Sequence, residues 1–407
     1  MFSIGSYIDN DTTYVAAKIL PRAKGQRTKF HLALLLDTSG SMEGDRITAL
    51  QRTLHLLVDA LVDKDCLTII SYSSEAAVLA NGKVLSSETR SELHTIIDAL
   101  RADGGTNMEA AIVALRDLTL SVDSVFILTD GHVNQGIIAG SGLKTLLNRS
   151  VSAGTPVNTL GFGSDHNAHM LRDMAMRSCG TYTYADKDEL LPAIIGDIVG
   201  GLQSTVGKQG RLSIPEGWTC KEIGLIEEGY YNVGTLIADK PQWVVLSAPL
   251  GTATPDLTFT WLDGQVPHMI SYTNSVVSEM DVAIQRDRCA VAKAFVESSD
   301  AVEQGNIQSA KIILQDAKAA LDRSIAKETT FVVQLYAQID QMLEELRTVS
   351  PAVISSRMAS GGATLSLQRG IMSGGGDPRA FSSPLQIDSQ TRMTTRYTQE
   401  VEEVEMV

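Results

Sequence analysis

The chain has 407 residues, 43% of them hydrophobic and 20% charged, which predicts a globular protein of two or three domains because one core rarely serves so long a chain. A formal net charge of −14 argues against nucleic acid or an anionic membrane surface as the main partner, since both attract basic proteins. No apolar run approaches the roughly 20 residues that span a bilayer, and residues 1–13 lack the pattern of a secretory signal.

Four cysteines lie far apart in the sequence and include no CxxC pair. This spacing fits neither a disulfide framework nor a zinc site, and it suits a reducing compartment, so we expect a cytoplasmic protein. We interpret the four as small buried apolar side chains. They are Cys66, Cys179, Cys220 and Cys289.

The N-terminal segment, residues 1–28, contains a run from Thr13 to Leu20 that alternates in the manner of a β-strand. Alternation with a period of two predicts a strand. We expect this strand to pair with β-strands beyond residue 204. The domain in between would then be an insertion into a β-domain whose pieces flank it.

Residues 29–204 show short apolar runs in alternation with helical patterns. The apolar runs at 31–36 and 124–128 predict strands buried on both faces, and apolar residues at helical spacing between 47 and 61 predict the first helix. Strict alternation predicts an α/β fold with a doubly wound, mostly parallel, Rossmann-like sheet. Further strands are predicted at 66–72, 156–161 and 181–185, and further helices at 87–100, after 107, and at 143–153, 167–178 and 187–203.

The rest of the chain divides by composition into three parts. Residues 205–273 carry β-rich runs between glycines and prolines and predict a β-rich domain. Residues 274–349 predict a helical region of three amphipathic helices. Residues 350–407 are rich in Gly and Ser and predict an extended tail, because they cannot bury enough apolar surface to order themselves. The tail ends in acidic residues, among them Glu400, Glu402, Glu403 and Glu405.

Three polar segments follow predicted strands or lie in the loops beside them: 37–41 (Asp-Thr-Ser-Gly-Ser), 104–107 (Gly-Gly-Thr-Asn) and 129–131 (Thr-Asp-Gly). Ligands of an open parallel sheet bind outside the carboxyl ends of its strands, so we expect the segments to converge. They supply oxygen donors alone, two carboxylates and three hydroxyls, which favours Mg²⁺ or Mn²⁺. The five predicted metal-site residues are Asp37, Ser39, Ser41, Thr106 and Asp130.

These three motifs, with Leu160-Gly-Phe-Gly163 further on, resemble von Willebrand factor A (VWA) domains and their metal-ion-dependent adhesion site. The resemblance implies that Ser39, Ser41 and Thr106 touch the metal, while Asp37 and Asp130 act largely through water. It also implies an open coordination position that a Glu or Asp of a protein partner fills.

The flanking segments are similar to those of intracellular VWA proteins in which a β- and helical interacting region follows the domain. This resemblance covers the N-terminal strand, the β-rich run after residue 203 and the helices around 303–306. Some such proteins, the plant RING ligases and the intein-linked microbial proteins, carry associated enzymatic activities. The sequence contains neither a RING cysteine cluster nor an intein-type cysteine, so neither activity is implied.

Two enzyme classes deserve comparison. A haloacid-dehalogenase-type phosphatase needs a second acid two residues after its nucleophilic Asp, but Ser39 stands there, so the general acid is missing. A dinucleotide-binding fold needs GxGxxG after the first strand, and Gly161-Phe-Gly163 comes too late and is too short. We therefore predict no catalytic residue.

Some nearby side chains have two interpretations. His166 and His169 suggest a metal pair, but a third ligand is missing, so we expect both on the exposed first turn of a helix capped near Asn167. His132 stands either on the rim of the metal site or in a solvated loop. We interpret Glu109 as a first-turn helix acid favoured by the helix dipole and not as a ligand.

These observations predict a non-enzymatic scaffold or adaptor that grips an acidic group of a protein partner through Mg²⁺ or Mn²⁺. The alternative is a structural subunit of a larger assembly that reuses the fold and binds metal incidentally. The combination of an open cation site and an acidic tail also suggests self-assembly, in which the tail of one copy binds the metal of another.

Overall fold

The computed structural model describes residues 1–22, 29–152, 154–163, 166–185, 190–263, 266–271, 277–368 and 382–405. The chain forms two compact units, each assembled from two segments. Residues 26–204 with 382–407 form the first, which we call the α/β unit. Residues 1–25 with 205–381 form the second, which we call the β-helical unit.

The chain begins with an antiparallel hairpin of β1 (Phe2–Asp9) and β2 (Thr12–Ile19). The second strand confirms the N-terminal strand that the alternating pattern predicts. The first strand was not predicted, because glycine and serine interrupt its apolar positions and leave no regular alternation.

A six-stranded sheet forms the centre of the α/β unit. Its strands are β3 (His31–Asp37), β4 (Cys66–Tyr72), β5 (Ala76–Val84), β6 (Ser124–Thr129), β7 (Val157–Phe162) and β8 (Tyr182–Ala185). They lie in the order β5-β4-β3-β6-β7-β8, and the neighbouring pairs are parallel except β4 with β5. The central strands β3 and β6 are buried almost throughout, which explains their continuous apolar sequence.

Helices alternate with these strands, as the periodicity predicts. They are α1 (Asp45–Ala60), α2 (Ser87–Asp98), α3 (Met108–Asp117), α4 (Gly140–Ser150), α5 (Ala168–Arg177) and α6 (Leu191–Gln203). The predicted fold class, a mostly parallel α/β sheet together with a β-rich part and C-terminal helices, is confirmed.

The edge strand β5 was missed by the sequence analysis. It runs antiparallel to β4, with Tyr72 opposite Ala76 and Cys66 opposite Val84. Most of its side chains are exposed or half-buried, so no apolar run marks it. An edge strand exposed in this way carries little of the periodic signal from which strands are predicted.

Two sheets form the β-rich part of the β-helical unit. The later strands are β9 (Thr205–Ser213), β10 (Thr219–Cys220), β11 (Ile226–Glu227), β12 (Tyr230–Ile237), β13 (Gln242–Pro249), β14 (Thr258–Asp263) and β15 (Val266–Ser271). One sheet has the order β1-β2-β13-β10 and the other β11-β12-β9-β14-β15. Val15 of β2 lies opposite Leu246 of β13, so the N-terminal strand pairs with a strand beyond residue 204. Both sheets contribute to one core, for example Val15 and Leu246 from the first and Leu212 and Phe259 from the second.

Three amphipathic helices follow, as predicted: α7 (Glu279–Glu303), α8 (Ile307–Asp322) and α9 (Thr330–Thr348). The break at Gly305 and Asn306 separates α7 from α8. Gly305 adopts a positive φ of 76°, and Asn306 caps α8 by accepting a hydrogen bond from the Ser309 N–H (3.0 Å).

The extended tail predicted from residue 350 is wrong for its first part, which forms α10 (Pro351–Leu367). Its glycines and serines let it approach α7 closely. A Cβ atom built on Gly362 would lie 2.7 Å from Val296 Cγ2 and 3.0 Å from the Ala292 carbonyl oxygen. Ser299 Oγ donates to the Ser355 carbonyl oxygen (3.0 Å) across the same contact. The small residues that resemble a linker composition therefore serve close helix packing.

The last part of the predicted tail is also helical, as α11 (Pro384–Glu405), whereas the glycine run at 374–376 lies outside the described residues. The helix packs in the α/β unit against α6. Among its described side chains, the buried ones are Gln386, Gln390, Met393 and Tyr397. The two buried glutamines weaken the hydrophobic period, which is why the sequence did not predict the helix.

Within the residues that the structure describes, every helix is too short or too polar to cross a bilayer.

Candidate metal centre

The predicted metal-site residues lie at the carboxyl edge of the sheet in the α/β unit. Asp37 is the last residue of β3, and Asp130 directly follows β6, the strand that pairs with β3. Both residues are fully buried. Parallel neighbouring strands thus bring the acids of two separate motifs to one edge.

Two serines join these acids. Ser39 precedes a single turn of 3-10 helix, Gly40–Met42, that contains Ser41. The hydroxyl oxygens of Ser39 and Ser41 lie 3.1 Å apart, and Ser41 Oγ donates a hydrogen bond to Asp130 Oδ1 (2.8 Å). The first and third motifs are therefore in direct contact.

Thr106 reaches the same place from the loop before α3. A Cβ atom built on Gly131 would lie 3.4 Å from Ser41 Oγ and 3.9 Å from Thr106 Oγ1, so both hydroxyls lie beside Gly131. The structure thus brings the five side chains into one neighbourhood, which we call the oxygen cluster (Asp37, Ser39, Ser41, Thr106 and Asp130).

Asn134, which the sequence analysis did not single out, positions Thr106. Its Oδ1 accepts a hydrogen bond from the Thr106 N–H (2.9 Å), and its own N–H donates to the Thr106 carbonyl oxygen (3.1 Å). A polar residue four positions after Asp130 is an ordinary loop residue, so the sequence carries no signal for this role.

Backbone hydrogen bonds join the loops of the first two motifs. The Gly40 N–H donates to the Gly104 carbonyl oxygen (3.1 Å), and the Asp103 N–H donates to that of Thr38 (2.9 Å). Gly104 has a φ of +68°, and a Cβ atom there would lie 2.9 Å from Ser74 Oγ. Backbone conformation and close approach both require glycine at the start of the Gly-Gly-Thr loop.

Both carboxylate oxygens of Asp37 accept hydrogen bonds, Oδ1 from the Ser39 N–H (2.9 Å) and Oδ2 from Thr129 Oγ1 (2.6 Å). Burial raises the pKa of Asp37 above its usual value of 3.8, and the negative charge of Asp130 adds to the rise. Hydrogen bonds from Ser39 and Thr129 oppose it. A buried carboxylate of this kind is costly to ionise unless a cation compensates it.

The structure places one cationic side chain at the cluster. Arg46, in the first turn of α1, forms an ion pair with Asp130 Oδ2, and its guanidinium also donates to the Ser41 carbonyl oxygen (3.4 Å). No sequence pattern points from a first-turn arginine to a loop after another strand, so Arg46 was not predicted as part of the site.

The oxygen cluster fits a divalent cation by its chemistry. Hydroxyl and carboxylate oxygens are the ligands that hard cations prefer. Asp37, Ser39, Thr106 and Asp130 are buried while Ser41 is exposed, so the cluster meets solvent on one side. Among the described residues, no group of three or more His, Cys, Asp and Glu side chains could hold a metal. A cation at this edge would therefore need the hydroxyls as ligands, and both metal binding and the identity of the metal stay predictions.

Predictions for the neighbouring side chains have different outcomes. Glu109 lies in the first turn of α3 as expected, and its Oε2 also accepts a hydrogen bond from the Ile137 N–H (2.7 Å), which holds the loop after β6. His132 is exposed.

The exposed position predicted for His166 is wrong. Its side chain is buried, with Nε2 2.7 Å from the Tyr182 hydroxyl and Nδ1 3.0 Å from the Gly163 carbonyl oxygen. Asn167 does cap α5, by accepting a hydrogen bond from the Met170 N–H (2.9 Å). His166 lies one residue before this cap, so its side chain is not on the helix. It packs against the sheet at Tyr182 of β8.

Comparison with known proteins identifies the domain that carries the cluster. The family model described as "von Willebrand factor type A domain" matches residues 30–184. The chain contains a VWA domain. The match covers the strands and loops that place all five residues of the oxygen cluster.

Solved structures share the fold beyond the VWA domain. The chain is similar to "von Willebrand factor type A from Catenulispora acidiphila", with a TM-score of 0.63, 15% identity, and coverage of 90% of this chain and 96% of that one. It is also similar to the ArnB paralog VWA2 from Sulfolobus acidocaldarius, with a TM-score of 0.60, 15% identity, and coverage of 90% and 98%. At this identity the likeness concerns the fold alone.

Curated relatives match mainly over the VWA domain. The uncharacterized protein YfbK of Escherichia coli (strain K12) is 28% identical over 192 residues, which are 45% of this chain and 33% of that protein. Inter-alpha-trypsin inhibitor heavy chain H3 of Homo sapiens is 23% identical over 254 residues, 56% of this chain and 28% of that protein. The chain thus spans about a third of the length of these relatives.

Proposed function

We propose that this protein is a non-enzymatic scaffold or adaptor whose oxygen cluster binds Mg²⁺ or Mn²⁺ and, through it, an acidic group of a protein partner. The observation that carries the proposal is the contact between the motifs. Ser39 and Ser41 lie 3.1 Å apart, Ser41 donates to Asp130, and Thr106 lies beside them at Gly131.

The charge of the cluster supports an acidic ligand. Two carboxylates formally balance a dication, and Arg46, which pairs with Asp130, adds one positive charge, so the loaded cluster would keep a net positive charge that attracts a Glu or Asp from a partner. The exposure of Ser41 supports approach from outside, since the other four members of the cluster are buried.

The environment of Asp37 supports a binding role over catalysis. Both of its oxygens are engaged by Ser39 and Thr129. A carboxylate held by two donors is poorly placed to attack a phosphoryl group, and Ser39 supplies no general acid. We therefore propose no enzymatic activity for this site.

The test is capture of a partner by the tagged full-length chain with Mg²⁺ present. We expect EDTA and Asp37→Ala to release the partner, and Ser39→Ala and Thr106→Ala to weaken its binding. Thr145→Ala, an exposed hydroxyl on α4, serves as the matched control and should retain the partner. Normal partner affinity in both Ser39→Ala and Thr106→Ala, at controlled metal concentration, would contradict the proposal.

The same experiment distinguishes the alternative of a structural subunit with incidental metal. Such a subunit should stay assembled in EDTA and in the Asp37→Ala variant. Circular dichroism of the variants checks that the fold survives, as expected for a site at the edge of the sheet.

We further propose that the acidic end of the chain is a ligand for the metal of a second copy. Deletion of residues 399–407 should then lower self-association in Mg²⁺, measured by sedimentation velocity, to the level seen in EDTA. Unchanged self-association after the deletion would exclude this role of the tail without affecting the adaptor proposal.

A further inference from the structure

Two histidines on neighbouring helices of the α/β unit point their rings at each other. His55 on α1 and His94 on α2 place their Nδ1 atoms 2.7 Å apart. The ring centroids are 4.9 Å apart and the planes are inclined by 29°, so the rings meet edge to edge with the Nδ1 atoms between them. The side chains are 26% and 31% exposed, so solvent reaches the pair.

The outer nitrogen of each ring lies against an aspartate of the opposite helix. His55 Nε2 is 3.0 Å from Asp98 Oδ1, and His94 Nε2 is 3.1 Å from Asp59 Oδ1. In sequence each helix carries the pattern His-x-x-x-Asp. The histidine of each helix contacts the aspartate of the other helix. The second oxygen of Asp59 is engaged by Arg396 of α11 (2.6 Å).

These contacts decide which nitrogens carry protons. An ionised carboxylate only accepts hydrogen bonds, so both Nε2 atoms must be donors. Both Nδ1 lone pairs then face one another, and a separation of 2.7 Å is favourable only when a cation lies between them. One shared proton fulfils that role, and a metal ion would fulfil it as well.

We propose that His55 and His94 form a two-histidine site for a borderline transition-metal cation of the Zn²⁺ class, separate from the oxygen cluster. Imidazole nitrogen suits such metals, whereas Mg²⁺ and Mn²⁺ prefer oxygen. A carboxylate that accepts from the outer ring N–H is the usual second partner of a metal-bound histidine. Water or a partner's side chain completes the coordination, since the two aspartates lie behind the rings.

Metal binding needs a modest rearrangement of the two rings. Zn–N bonds of about 2.0–2.1 Å at a tetrahedral angle separate two ligand nitrogens by about 3.3 Å, so the Nδ1 atoms must move apart by about 0.6 Å. Each ring must also turn by roughly 35°, so that its lone pair points at the metal and not at the other ring, and partly exposed side chains on two separate helices can make this movement. The metal replaces the shared proton, so binding releases about one proton per metal ion.

The test is a calorimetric Zn²⁺ titration of the full-length chain carrying Asp37→Ala, which removes the competing oxygen cluster. We expect one site per chain at His55 and His94, a metal-dependent rise in melting temperature, and release of about one proton, obtained from two buffers with different ionisation enthalpies. Excess Mg²⁺ should leave this Zn²⁺ binding unchanged.

Variants in the same background assign the site. His55→Gln and His94→Gln should each abolish it, whereas His169→Gln, an exposed histidine on α5, should retain it. Asp59→Asn keeps both ring ligands and should weaken Zn²⁺ binding by about 10–100-fold. Unchanged Zn²⁺ affinity and proton release in His94→Gln and Asp59→Asn, with folding verified by circular dichroism, would overturn the proposal.

Discussion

At the scale of single residues, Arg46 already pairs with one of the two carboxylates of the oxygen cluster. A divalent cation held by Asp130 would have to share that carboxylate with the guanidinium, because the ion pair uses Asp130 Oδ2. Like charges a few ångströms apart repel by about 1–4 kcal/mol, depending on exposure. We therefore expect Arg46 to weaken the binding of a metal by the cluster.

Replacing this arginine should strengthen metal binding. We expect Arg46→Gln to raise the Mg²⁺ affinity of the full-length chain by roughly 5–30-fold, since a repulsion of about 1–2 kcal/mol is removed. Arg52→Gln on the same helix is the matched control and should leave the affinity unchanged. Isothermal titration with Mg²⁺ measures both, and a weaker affinity in Arg46→Gln would show that Arg46 supports the site.

The buried carboxylate of Asp37 predicts a pH dependence of stability. Its pKa is raised in the folded state by burial, so the folded chain binds the proton more tightly than the unfolded chain. Its contribution to stability is therefore present below the unfolded value of 3.8 and is lost as pH rises through the folded pKa.

The substitution Asp37→Asn should remove this loss of stability at higher pH. In EDTA we expect the variant to gain stability relative to the wild type as pH rises from about 4 to 7, since an amide has no charged form to bury. Hydrogen exchange of the β3 amides is the readout, because the three tryptophans, Trp218, Trp243 and Trp261, all lie in the β-helical unit. A stability difference that does not vary with pH would contradict the assignment.

At the scale of elements, a buried ion pair ties α7 to the sheet of β1, β2, β13 and β10. Both guanidinium nitrogens of Arg288 contact Glu222, at 2.5 and 3.0 Å, and both side chains are fully buried. Glu222 also accepts from the Val245 N–H of β13 (3.1 Å), and Arg288 donates to the Leu365 carbonyl oxygen of α10 (2.6 Å). One pair thus links a sheet, the helix on it and the last turn of another helix.

Removing one partner of this ion pair should lower the stability of the β-helical unit. We expect Arg288→Met to lower the free energy of unfolding of the β-helical unit by about 3–5 kcal/mol, because Glu222 would stay buried without its counter-ion. The double variant Glu222→Gln with Arg288→Met should recover part of the loss. Urea unfolding followed by tryptophan fluorescence measures both, and equal losses in the single and double variants would show that the pair itself is not responsible.

The elements also show how far sequence reasoning extends. Buried strands such as β3 and β6 were predicted because their sequences are almost continuously apolar, and the placement of the motifs after them follows from the geometry of a parallel sheet. β5, α10 and α11 were missed because their sequences lack a hydrophobic period: one is mostly exposed, one packs through Gly and Ser, and one buries glutamines. The roles of Arg46 and Asn134 at the site arise from contacts between segments that are distant in sequence, and no local sequence pattern encodes such contacts.

At the scale of the whole molecule, both units are discontinuous in sequence. The α/β unit interrupts the β-helical unit after residue 25, and the end of the chain returns to the α/β unit as α11. Asp197 of α6 anchors that return. Its Oδ1 accepts from Ser382 Oγ (2.8 Å) and Gln390 Nε2 (2.7 Å), and its carbonyl oxygen accepts from Gln386 Nε2 (3.0 Å). The VWA domain is thus completed by a helix distant in sequence.

The contact between α6 and α11 depends on Gly196, where a Cβ atom would lie 2.8 Å from the Gln390 Cα. Gly196→Val should therefore displace α11, since backbone cannot move aside as a flexible side chain can. We expect loss of hydrogen-exchange protection in residues 386–398 and a lower melting temperature, as in a chain that ends at residue 381. Thr391→Ala, on the exposed face of α11, should keep both properties of the wild type. Full protection of α11 in Gly196→Val would show that the packing of α11 does not depend on close approach at Gly196 and would contradict this account of the contact.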